Sequence, residues 1–211
     1  MFSSIKPKAN LDNLFARGTD LQASGRFKST LAFNNFKKQD AKNLQEIYER
    51  VKNGSPTMND IFIKYLDEIA PNGKNPINKA QIDSYLNQFF LAERNDEYVD
   101  RTVKFFDLLR RSRFEPGKLI VVFNQFSFYL NTHILHNFAL KPFKAFDYMK
   151  SLSSAINIDQ ELLVEVMTER IIENVVEEIS SLMDVNAKIM YMKDLVVSLD
   201  HQTKEISGSY A

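Results

Sequence analysis

No cysteine and no tryptophan occur in this chain, and glycine and proline number only six each among 211 residues. The missing cysteines exclude a disulfide framework, thiolate zinc sites and a cysteine nucleophile, and they suit a reducing compartment. Few glycines and prolines mean few turns, which points to long helices. Net charge is absent too: 27 Lys and Arg balance 27 Asp and Glu. A neutral chain offers no electrostatic case for nucleic acid or an anionic membrane surface. The longest aliphatic run, Leu119 to Phe123, falls far short of the roughly 20 residues that span a bilayer. The opening residues Met1 to Lys8 lack the apolar stretch of a secretory signal. These absences lead us to expect a cytoplasmic protein with no membrane span.

What is present is phenylalanine, 17 residues of it, in a chain that is 44% apolar and 26% charged. That supplies an aromatic core for one domain plus an extension. Apolar residues recur at helical spacing and nowhere alternate with period two, so the fold class is all-α. Residues 1–26 are weakly patterned and read as an N-terminal arm, partly disordered. From Phe27 the stripe Phe27, Leu31, Phe33, Phe36 begins the domain, 27–171. Asp40 reads as the N-cap of the next helix. Further helices are expected over about 57–69, 78–93, 95–113, 117–138 and 142–155. The helix over 117–138 is apolar nearly all round, which implies burial on most sides or sharing with a partner. Asp159 reads as the N-cap of a last, very long helix reaching about residue 205.

The tail, 172–211, carries a seam at an average step of 3.5: Ile172, Val175, Ile179, Leu182, Asn186, Ile189, Lys193, Val196. That period is the coiled-coil signature, and Asn186 and Lys193 within it fix register at some loss of strength. The tail reads as a dimerisation or signalling helix, with the chain's end read as a link to an output domain or protein.

Four stretches carry a family resemblance: Phe36 to Leu44, Asp60 to Asp67, Asn95 to Arg101, and Ile156 to Val164. In their order and spacing the chain resembles the globin-coupled sensors, the globin-like heads of soluble bacterial chemoreceptors and stressosome regulators. The resemblance implies a globin-like, signal-transducing sensor, a homodimer joined through the helix over 117–138 and the last helix. It also implies a chemotaxis or stress-signalling output. The family's proximal heme histidine falls on Leu108 or Leu109, and its distal tyrosine on Ile63. Heme iron needs a donor such as His, Met or Tyr, which an aliphatic side chain cannot supply. The expectation is therefore a heme-free head without a cofactor. The alternatives are a heme-based gas sensor with a displaced ligand such as His133, or a fatty-acid-binding regulator.

A ligand pocket is expected among Phe62, Ile63, Phe89, Phe90, Phe105, Phe106, Leu108, Leu109, Phe114 and Phe123. Such a pocket holds an apolar small ligand, with Arg110, Arg111 and Arg113 at its mouth; equally, the phenylalanines fill the space themselves. His133 and His136, three residues apart on one helix face, are weak metal candidates. No glycine-rich phosphate loop, nucleophile elbow or His-Glu-x-x-His motif is present, which leaves catalysis without support.

Overall fold

Helix starts in this protein are fixed by short polar side chains that close back on the backbone. The computed structural model describes residues 15–209, and among these no strand occurs. The helices are α1 Gly25–Phe33, α2 Lys38–Val51, α3 Met58–Glu68, α4 Lys79–Leu91, α5 Asp96–Arg111, α6 Pro116–Asn137 and α7 Pro142–Ser209. The chain divides into two units, one ending at Met167 and the other beginning at Thr168. That boundary lies four residues before the one expected from the heptad spacing.

The first unit is a helical domain. Thr57 Oγ1 accepts from the Asp60 N–H at 3.2 Å, and Asp60 Oδ2 accepts from the Thr57 N–H at 3.2 Å. Asn78 and Gln81 make the same reciprocal pair at the start of α4, at 2.9 and 3.0 Å. Asn95 Oδ1 accepts the Tyr98 N–H at 3.0 Å and opens α5. These are capping boxes and an Asx cap, which occupy backbone donors that the first turn leaves free. Asp40 is not the N-cap expected. It sits at the third helical position of α2 and reaches back to the Lys37 N–H at 2.8 Å.

Within this unit α4 packs against α2, α3 and α5, and α6 packs against α2 and α3. Three of the four residues in the stripe from Phe27 face the core. Phe27, Leu31 and Phe36 are buried, but Phe33 is exposed beneath the Arg17 guanidinium, 4.8 Å from its ring centre. Residues 1–14 of the expected arm lie outside the described residues. The rest of it is bound to the domain: Leu21 is buried, and the Gly18 N–H donates to Ala32 O at 2.8 Å. Thr19 Oγ1 donates to Phe36 O at 2.7 Å, and Ser24 Oγ donates to Asp96 Oδ2 at 2.7 Å. Polar residues that give no helical pattern here act as caps and braces.

The largest correction concerns the last helix. A separate helix over 142–155 and a new start at Asp159 do not exist; α7 is continuous from Pro142 to Ser209. No glycine or proline lies between Pro142 and Gly208 to stop it. Asp159 turns its carboxylate inward and caps nothing. In the second unit, every residue from Ile171 to Ser207 is exposed.

Candidate functional site

The aromatic centre of the domain forms around Tyr85, on α4. Its ring stacks on Phe105 at 4.3 Å between centroids, and Phe106, Phe62 and Phe123 stand at 5.7, 6.0 and 6.2 Å. Phe89 lies 6.4 Å from Tyr85 and 4.8 Å from Phe90. Offset and edge-to-face contacts of this kind add to the stabilisation from burial. Eight of the ten expected pocket residues are core residues: Phe62, Phe89, Phe90, Phe105, Phe106, Leu109, Phe114 and Phe123. Between Phe62, Tyr85, Phe89, Phe123, Phe126 and Ile156 no space large enough for a water molecule remains. Ile63 and Leu108 are half-buried against this core.

An open groove does exist beside it, between α4 and α5, with a volume of about 490 Å³. Phe105, Tyr85 and Leu108 line it, together with Gln81, Ser84, Gln88, Arg101 and Lys104. Of the expected pocket residues only Phe105 and Leu108 line this groove. The expected mouth cations are engaged elsewhere. Arg110 Nε donates to Asp107 Oδ1 at 2.8 Å, and Arg111 Nε lies 2.6 Å from Asp107 Oδ2. Burial alone would raise the Asp107 pKa, but the hydrogen bond and charge of Arg110, with those of Arg111, outweigh it and hold the carboxyl below its usual range. Arg113 is exposed and adopts a left-handed backbone, φ 64°, at the end of α5. The Arg113 N–H donates to Arg110 O and the Phe114 N–H to Leu109 O, a closing pattern that more often uses glycine.

The spacing arguments missed the polar heart of the domain. Asp159 is fully buried, and its two carboxylate oxygens accept from Tyr85 Oη at 2.7 Å and Tyr98 Oη at 2.5 Å. The fully buried Arg94 lays its guanidinium over the Tyr98 ring at 4.3 Å and donates to the carbonyls of Ala92 and Phe89. Burial pushes the Asp159 carboxyl above its ordinary pKa, against the pull of the Arg94 charge and of both phenol hydrogen bonds. Burial, reinforced by the Asp159 charge, pushes Tyr85 well up. Burial does the same to Tyr98, with Arg94 opposing it. The cluster joins α4, α5 and α7 and satisfies an acid that burial would otherwise penalise. A signal for it was available: Asp159 falls seven residues after Leu152 and four before Leu163, inside the buried stripe of α7. A second buried chain runs from Asn43 Nδ2 to Ser151 Oγ at 2.9 Å, and from Ser151 Oγ to Asp40 Oδ1 at 2.7 Å.

His133 is half-buried, with its ring 4.6 Å from that of Tyr129, and His136 is exposed. Among the described residues no group of three or more His, Asp or Glu side chains is placed to hold a metal. Among the described residues no helix is long and apolar enough to cross a membrane. On α6, Val121, Phe128 and Leu135 form an exposed apolar column at a seven-residue step. Leu135 also lines a small groove with Phe146 of α7.

Compared with known protein families and with characterised proteins, the sequence matches none.

Proposed function

We propose that this chain is a heme-free, globin-like signal-transduction sensor that works as a homodimer in the cytoplasm. In this reading, ligand or partner state at the helical head biases the arrangement of the long last helix. That bias is passed to a chemotaxis or stress-signalling output. The observation that carries the proposal is that both residues to which the family resemblance gives the heme-ligating histidine are aliphatic, Leu108 lining the groove between α4 and α5 and Leu109 buried in the core. An aliphatic side chain there gives iron no donor. The exposed apolar side chains Val121, Phe128 and Leu135 on α6 support pairing through that helix. A bound effector must differ in affinity between two helix arrangements, or it shifts nothing.

The test is the absorption spectrum of the purified protein before and after heme titration. No Soret band is expected. A Soret band that disappears in His133→Ala would overturn the heme-free reading in favour of a displaced axial ligand. Light scattering at tens of micromolar should report a dimer, and a monomer would contradict the proposal.

A second reading draws on the composition of the same groove. Its floor of Phe105 and Leu108 with Arg101 and Lys104 beside it suits a small amphiphile with an acidic head, such as a fatty acid. Native mass spectrometry of protein released gently from cells should then show added mass that Lys104→Glu removes. Protein of bare chain mass would instead favour an interaction module with a filled core.

A further inference from the structure

The tail helix presents its apolar residues in columns, each advancing seven residues at a time. One column holds Val175, Leu182, Ile189, Val196 and Thr203. Its neighbour holds Ile171, Glu178, Val185, Met192, Leu199 and Ile206. Together these make an unbroken alternation of steps of four and three, and only Glu178 and Thr203 in it are polar. The column begun by Ile172 behaves differently. After Ile179 it continues as Asn186, Lys193 and Asp200, a polar rib along the second half of the tail. A seam drawn through that rib puts an amide and two charges in the contact; a seam one column over moves all three to its flank. All nine apolar residues of the second seam are exposed, between 47% and 64%. A strict two-column apolar stripe is what a two-stranded coiled coil buries.

Charge then decides what covers it. If two copies run parallel in register, Glu178 meets Glu178 of the second copy inside the seam. Lys188 of each copy also falls beside Lys193 of the other, since flanking positions five residues apart face each other in that geometry. Run antiparallel, one register avoids both clashes. It sets Glu178 against Thr203 of the second copy, so that the two polar seam residues meet each other. Leu182 then faces Leu199, Val185 faces Val196 and Ile189 faces Met192. Sliding by one heptad in either direction brings Lys188 onto Lys188 or Lys193 onto Lys193. Like charges held face to face are unfavourable.

We infer that the tail pairs antiparallel with the tail of a second copy of this chain, along the seam from Ile171 to Ile206, with Glu178 opposite Thr203. The inference shares with the proposed function only the pairing of copies. Heme and ligand chemistry play no part, so the spectrum and the test below fail separately.

The chain's lack of cysteine makes the test direct. Full-length Glu178→Cys and Thr203→Cys proteins are prepared, each carrying a single thiol at an exposed position. In the antiparallel register the two 178 positions lie about 37 Å apart at 1.5 Å per residue, as do the two 203 positions. Mixed and mildly oxidised, the two variants should give a cross-linked dimer on a non-reducing gel. Each variant alone should stay at monomer mass. Efficient cross-linking of each variant with itself would establish a parallel pair and overturn the inference. Cross-linking of Glu178→Cys to Val196→Cys in preference to Thr203→Cys would overturn the register. The absence of any cross-link, with a monomer in light scattering, would overturn the pairing itself.

Discussion

The two units of this chain hold comparable apolar side chains and use them in opposite ways. In the domain ending at Met167, phenylalanines close on Tyr85 until no water-sized space is left. In the unit beginning at Thr168, isoleucines, valines and methionines lie exposed along a helix. The domain draws its stability from its own packing, whereas a lone helix in water is marginal and gains most from a partner. Core substitutions should therefore register as unfolding, and tail substitutions as a change in association.

The largest expected effect is Phe62→Ala, which removes a ring in contact with Tyr85, Phe123 and Phe126. It should lower the domain's stability by about 3–5 kcal/mol in denaturant unfolding. Leu182→Ala, measured at a dilution where copies are apart, should shift the same transition by less than about 0.5 kcal/mol. A comparable loss at both sites would erase the contrast between the units. Next is Tyr98→Phe, which leaves one oxygen of buried Asp159 without its donor and should cost roughly 1–3 kcal/mol.

Asp159→Asn sharpens the comparison through pH. The folded state holds the Asp159 proton more tightly than the unfolded chain does. The wild type should therefore lose stability relative to the variant as pH rises from about 3.9 through the raised folded-state pKa, and the gap should stay level above it. Melting curves of both proteins between pH 4 and pH 8 measure the difference, and a gap independent of pH would remove Asp159 as its source. The smallest effect expected is a gain: Arg113→Gly relieves a left-handed arginine and should stabilise the domain by up to about 1 kcal/mol. Chemical denaturation resolves a change of that size.

Much of the helix plan could be read from the residues, because apolar spacing and Asn, Thr or Pro at the helix starts are local signals. Thr57, Asn78 and Pro116 mark their helices within a residue or two. Asp159 shows where local reading fails. An acid preceding an apolar run looks the same whether it caps a backbone or receives two phenols from 61 and 74 residues away. Only the other helices decide between the two. Arg110 and Arg111 misled for a related reason: the residue that holds them, Asp107, is on their own helix, one turn back. Eight of the ten expected pocket residues are buried and the other two half-buried. Whether rings enclose a space or fill it depends on contacts between helices, which spacing within one helix does not carry.

The pairing of Tyr85 and Tyr98 on one carboxylate also constrains how this sequence can change. An asparagine at 159 keeps one acceptor oxygen but turns an amide donor toward one of the two hydroxyls. That phenol then has to reverse its hydrogen bond or be lost. Positions 85, 98 and 159 are therefore chemically coupled: a change at any one of them alters what the other two can bond to.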